Sequence, residues 1–171
     1  MQFWKSFFDY KDSTNIGSHD STSNQALIVD NTDGAIYLSK YKSINLDDLE
    51  SLCDSVGWVR RPIKKVKLAL ENSFLIVSIF HCDSGRQSLI GFARVTSDGS
   101  FNATIWDVVV HPNFQGRGLG KILMIEIIKE LRIKDISTIT LFADPEVIQF
   151  YKHIGFIIDP DGVKGMFWYP I

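Results

Sequence analysis

Cysteine is nearly absent: two in 171 residues, Cys53 and Cys82, isolated from each other and without a histidine at ligand spacing. That excludes a disulfide framework and a zinc site of the Cys-x-x-Cys kind, and a reducing compartment is the expectation. A charge excess is missing too, since 18 Lys and Arg face 20 Asp and Glu for a net charge of −2. A chain so balanced lacks the field on which general nucleic-acid binding depends. No apolar run approaches the roughly 20 residues that span a bilayer. The first 25 residues hold no arginine but do hold Asp9, Asp12 and Asp20, the reverse of a transit peptide, which is rich in arginine and poor in acids. No internal repeat or linker divides the chain.

What is present is enough apolar sequence, 45% of residues, for one domain with a substantial core. Residues 1–33 read as an N-terminal extension, partly disordered, with a polar stretch over 11–25. Phe3, Trp4, Phe7 and Phe8 in it would form one helical turn that docks on the domain or on a partner. Residues 34–171 read as the domain. Its first strand is 35–39, after the Asp33-Gly34 turn signal. Asn45 is the expected N-cap of a helix carrying Leu46, Leu49 and Leu52 and ending near Gly57. Pro62 opens a second helix, with Val66 and Leu70 inward and Lys64, Lys65 and Lys67 outward. Runs 74–81 and 88–95 form a hairpin around Asp83-Ser84-Gly85, and Asp98-Gly99 turns the chain into a strand over 103–110.

After that strand comes NFQGRGLGK, followed by a helical pattern with Leu119, Leu123, Ile127 and Leu131 at spacing four. The stripe faces the core and has no catalytic meaning. A strand that passes through a glycine-rich turn into a helix aims unpaired N–H groups at one point, backed by the positive end of the helix. Such a point binds phosphate. A Walker loop would need a glycine where Gln115 stands and Ser or Thr where Ile122 stands. A dinucleotide fingerprint would need G-x-G-x-x-G after an early strand, whereas Gly116, Gly118 and Gly120 alternate strictly and come late. What is left is Gln115-x-x-Gly118-x-Gly120, or an ordinary connection that carries three glycines.

The pattern Gln115-x-x-Gly118-x-Gly120 resembles the acyl-CoA pyrophosphate loop of the general N-acetyltransferase (GNAT) superfamily. LFADPEVIQFYKHIGF, 141–156, resembles its closing segment, with Phe150, Tyr151, Gly155 and Phe156 in the Phe-Tyr-x-x-x-Gly-Phe signature. Trp106-Asp107 and the ending Met166-Phe167-Trp168-Tyr169 resemble the plastid and cyanobacterial branch, which includes plant serotonin N-acetyltransferases and plastid protein acetyltransferases. The resemblance implies an α+β GNAT fold: a mixed, mostly antiparallel sheet with helices on both faces, closed by a final strand or pair. It implies an acetyl-CoA-dependent N-acetyltransferase acting by direct attack in a ternary complex, without a metal. The acceptor would be a primary amine, either an arylalkylamine such as serotonin or a protein lysine or N-terminal amine. A non-catalytic acetyl-CoA-binding regulatory module is the alternative, and a homodimer stays open. With no transit signal, the place of action would be a plastid or a bacterial cytoplasm.

By the same resemblance, backbone N–H groups of Gly116, Arg117, Gly118, Leu119, Gly120 and Lys121 bind the pyrophosphate beside Gln115. Main-chain groups of Val108, Val109 and Val110 pair with the pantetheine arm, and a β-bulge at Val108 aims an amide at the thioester. Nothing in TIWDVVV announces that bulge. Tyr151 is the candidate general acid, since a phenol of pKa about 10 stays protonated beside a thiol titrating near 8.5. Otherwise it is a core tyrosine. Asp107 is the candidate base, a carboxylate in an apolar strand whose pKa such surroundings raise; alternation would equally make it an outward-facing residue. Trp106 stacks on an aromatic acceptor or fills the core. Asp144 stands where many superfamily members have asparagine and cannot donate a hydrogen bond while ionised. Arg60, Arg61, Lys64, Lys65 and Lys67 read as a solvated helix face, or as a seat for an acidic protein or the 3′-phosphate of CoA. His111 reads as a turn residue before Pro112.

Overall fold

Ser84 and Gly85 are both left-handed, at φ 50° and 78°. Two such residues in succession match the twist of a hairpin, and they turn β3 (Leu75–Asp83) directly back into β4 (Arg86–Ser97), with Asp83 opposite Arg86. The computed structural model describes residues 24–31 and 34–169, so the aromatic cluster Phe3, Trp4, Phe7 and Phe8 lies outside the described residues. Around the hairpin stands a six-stranded sheet in the order β1-β2-β3-β4-β5-β6, adding β1 (Gln25–Asn31), β2 (Gly34–Ser39), β5 (Asn102–Val110) and β6 (Thr138–Leu141). All neighbours are antiparallel except β5 and β6.

Asn45 caps α1 (Leu46–Ser55), its Oδ1 accepting from the N–H groups of Asp47 at 2.8 Å and Asp48 at 3.3 Å. Pro62 precedes α2 (Ile63–Glu71), which buries Leu70 and leaves Lys64, Lys65 and Lys67 exposed. These two helices cover one face of the sheet through Leu49, Leu52, Leu70, Ile76 and Phe92. The opposite face is covered by α3 (Leu119–Ile133), whose Leu119, Leu123, Ile127 and Leu131 are at most 3% exposed. The spacing-four stripe is therefore core, and its burial holds the N-terminus of α3 against the strands. Lys40, at the end of β2, reaches α3 through Glu130 at 2.7 Å and Glu126 at 3.3 Å. α4 (Ile148–Ile154) follows β6 and ends at left-handed Gly155.

Two expectations change. Residues 25–31 form a strand, so the sheet starts on the N-terminal side of residue 33. As an edge strand with Leu27 and Val29 over a third exposed, β1 owes its conformation to pairing with β2. The closing strand or pair does not form among the described residues. Past Gly155 the chain makes a tight turn over Pro160–Gly162 with left-handed Asp159 and Asp161, and no strand follows. The β-forming run Met166-Phe167-Trp168-Tyr169 stays exposed, because strand propensity takes effect only where a partner edge is presented.

Candidate functional site

β5 and β6 pair only from Asn102↔Thr138 to Ile105↔Leu141. β5 then continues to Val110 while β6 ends, so the two strands part and a cleft of about 490 Å3 opens between them. On its other side β5 pairs Trp106 with Arg94 and Val109 with Phe92. Asp107 and Val108 thus oppose Ala93 alone, which is a β-bulge. Asp107 takes φ 56° there, a conformation that aspartate tolerates better than most residues. The bulge stands where the resemblance put it.

The His111 N–H donates to Ile90 on β4 at 2.8 Å. Main-chain groups alternate sides along a strand, so those of Val110 face the cleft. The Val110 carbonyl accepts from Gln115 Nε2 at 2.9 Å. Through that bond Gln115 ties the glycine loop to the strand end. His111 is the turn residue expected: its Nδ1 accepts the Asn113 N–H at 3.2 Å.

In the loop, Gly116 and Gly118 have φ 73° and 79°, and Gly118 is the N-cap of α3. The first amide to enter the helical pattern is that of Ile122, bonded to Gly118 O at 3.1 Å. Among the described residues, the amides of Gly116, Arg117, Gly118, Leu119, Gly120 and Lys121 find no acceptor within the protein. Consecutive free donors at a helix N-terminus attract an anion. A Cβ added to Gly118 would meet nothing within 4 Å, whereas one on Gly120 would touch Phe150 Cζ at 3.4 Å. The loop is open outward and packed inward against α4. Arg117 lies over the Phe114 ring at 5.1 Å, and the Lys121 side chain is exposed.

α4 presents Tyr151 to the cleft. Burial, and then the negative charge of Asp144, push its phenol above the usual value, so it is protonated at neutral pH. Its ring meets Phe150 and Phe156 at 5.0 and 6.0 Å. Tyr151 is thus half core and half cleft wall. Asp144 is exposed at the cleft and leads into the turn Pro145–Val147.

Asp107 departs from expectation. The bulge takes it out of the strand's alternation and into charged surroundings: Oδ2 accepts from Arg94 Nε at 2.6 Å and Oδ1 from Arg61 Nη1 at 3.0 Å. The apolar environment expected around it is absent. Trp106 is not a core residue either; it is 36% exposed, donates Nε1–H to Thr96 at 2.8 Å and lies 5.6 Å from Phe142. Within the basic group, Arg60 pairs with Asp54 and Glu50, Arg61 with Asp107, and Lys67 with Glu71. Arg94 went unforeseen. Its signal was a lone arginine within the apolar run GFARV. Among the described residues no three His, Cys, Asp or Glu side chains gather as a metal site, and no helix is long and apolar enough to cross a membrane.

The acetyltransferase (GNAT) family pattern matches residues 44–156. The chain is 58% identical over 181 residues to the uncharacterized N-acetyltransferase ycf52 of Gracilaria tenuistipitata var. liui, with all of both chains covered. It is 46% identical over 151 residues to the chloroplastic GCN5-related N-acetyltransferase 2 of Arabidopsis thaliana, covering 79% of this chain and 58% of that one. A GNAT-family acetyltransferase of Streptococcus pneumoniae superposes with TM-score 0.67 at 26% identity, over 79% of this chain and 98% of its own. With the parted strands, the bulge and the open glycine loop, these matches establish that the chain belongs to the GNAT family and is an N-acetyltransferase.

Proposed function

We infer that the protein transfers the acetyl group of acetyl-CoA to a primary amine by direct attack within a ternary complex. The observation that carries this reading is the row of six unpaired amides, 116–121, at the N-terminus of α3 and beside the free edge of β5. Acetyl-CoA supplies the activated thioester. The amides hold its pyrophosphate, and the main-chain groups of Val108, Val109 and Val110 take its pantetheine arm as a strand would. Gln115 braces the junction. Asp144 borders the arm only as an acceptor.

The bulge turns the Val108 amide toward the thioester oxygen, where it stabilises the charge that develops as the amine nitrogen adds. As the new C–N bond forms and the C–S bond breaks, Tyr151 donates its phenolic proton to the departing thiolate and is reprotonated, through water, by the second proton that the acylated nitrogen sheds. Asp107 attracts the incoming ammonium and passes its proton to water once one guanidinium has moved away. Trp106 and Phe142 supply an apolar rim. The acceptor is an arylalkylamine such as serotonin, or a protein lysine or N-terminal amine, and the reaction runs in a plastid or a bacterial cytoplasm, in line with the chloroplastic relative.

The test is thiol release from acetyl-CoA by the purified protein with serotonin, tyramine, spermidine and lysine peptides, alongside calorimetric titration with CoA. Saturable CoA binding with amine-dependent release is expected. Absence of both would sink the reading.

A further inference from the structure

The cleft beside Tyr151 is not the sole cavity that reaches Asp107. A second, of about 360 Å3, opens beneath α2, with Val66, Leu70 and Phe92 as an apolar floor and Lys65 and Arg94 on its walls. Two residues border both cavities, Arg61 and Asp107. Their ion pair is the partition between them.

The two oxygens of Asp107 are held unequally. Oδ2 is bound at 2.6 Å by Arg94, a strand residue whose side chain is 15% exposed. Oδ1 is bound at 3.0 Å by Arg61, which comes from the α1–α2 loop and is 43% exposed. An exposed guanidinium on a loop gains little from its pair, because water screens the attraction and holding the side chain costs entropy. The Arg94 pair is built into the sheet, and the Arg61 pair is replaceable.

We propose that Arg61 stands in for the ammonium of the acceptor, and that the acceptor is the amine of an acidic peptide entering through the second cavity. This rests on the acetyl-transfer reading. An ammonium reaching Oδ1 delivers one positive charge where the guanidinium supplied one, so Asp107 stays compensated as Arg61 swings away. The displaced Arg61 then lies at the mouth with Lys65, which makes no ion pair among the described residues. Three cations, Arg61, Lys65 and Arg94, then face one carboxylate and an incoming ammonium. An amine without an anion leaves this excess unrelieved. A Glu or Asp side chain beside the acceptor lysine pairs with the displaced Arg61, which Lys65 flanks, and so offsets one charge of this excess, while the apolar floor receives the lysine stem. This selects acidic peptides over serotonin.

The test compares kcat/KM, by thiol release, for two lysine peptides differing only in Glu or Gln next to the lysine, with serotonin as the anion-free acceptor. Wild-type protein is expected to favour the Glu peptide about fivefold over both others, the upper scale of one exposed charge pair. Arg61→Ala should bring the peptide ratio to within about twofold of one, and Arg61→Lys should keep most of it. Lys65→Ala, which touches only the second cavity, should lower the ratio without changing CoA affinity. Equal use of both peptides, a preference for serotonin, or a ratio unmoved by Arg61→Ala would overturn the proposal, provided CoA binds and some amine is acetylated. Absent CoA binding and absent release together would overturn the acetyl-transfer reading and this inference with it.

Discussion

Gln115 Nε2 donates to the Val110 carbonyl at 2.9 Å and thereby sets the distance between the glycine loop and the last residue of β5. One side-chain bond therefore couples the phosphate seat to the strand edge along which the rest of the cofactor would lie.

Gln115→Ala removes that coupling and leaves the amides in place. The loss of one exposed hydrogen bond, about 1 kcal/mol, corresponds to roughly fivefold weaker CoA binding. Calorimetry should show that weakening while kcat at saturating acetyl-CoA changes by less than about twofold. A fall in kcat with unchanged affinity would show that Gln115 acts on the chemical step.

Tyr151→Phe should lower kcat by about a hundredfold or more, the usual scale of a lost general acid, with CoA affinity nearly unchanged. The folded-state pKa of Tyr151 is raised, first by burial and then by Asp144, so the alkaline limb of the rate profile belongs above the ordinary tyrosine value. Asp144→Asn removes the second cause and should move that limb toward lower pH. The linkage sign follows from the same shift. A raised folded pKa contributes stability that is fully present below the unfolded value, about 10, and is lost as pH climbs through the folded value. Thermal melts between about pH 9 and 11 should therefore fall less steeply for Tyr151→Phe than for wild type.

Gly118 is required for its backbone and not for close packing. At φ 79°, with open space around a Cβ, Gly118→Ala should cost about 1–2 kcal/mol from left-handed strain alone. A larger side chain would also stand over the free amides, so Gly118→Val should abolish CoA binding and not merely lower the melting temperature. Retained CoA binding in Gly118→Val would remove the loop from the site.

Features carried by neighbouring residues were legible in the sequence. The Asn45 cap needs only its own side chain and two amides nearby. The Ser84-Gly85 turn and the Leu119, Leu123, Ile127, Leu131 stripe are likewise local, as is the glycine loop. β1 and the tail after Gly155 were misread because a strand's existence depends on whether a distant edge accepts it: β2 accepts 25–31, and nothing described accepts 166–169. The charged surroundings of Asp107 were illegible for the same reason. Its partners Arg94 and Arg61 lie 13 and 46 residues away in the chain, and only the β4 register and the α1–α2 loop bring them to it.

The sequence by itself determined the order of most elements and the amides of the glycine loop, since each rests on short-range backbone geometry and side-chain periodicity, and its motifs carried the resemblance to the family. Tertiary structure alone decided that β5 parts from β6, that Asp107 bulges toward two arginines, and that their contact divides two cavities. Those are relations between segments brought together by burial of the core, and no local pattern of residues encodes the distance or charge across such a meeting.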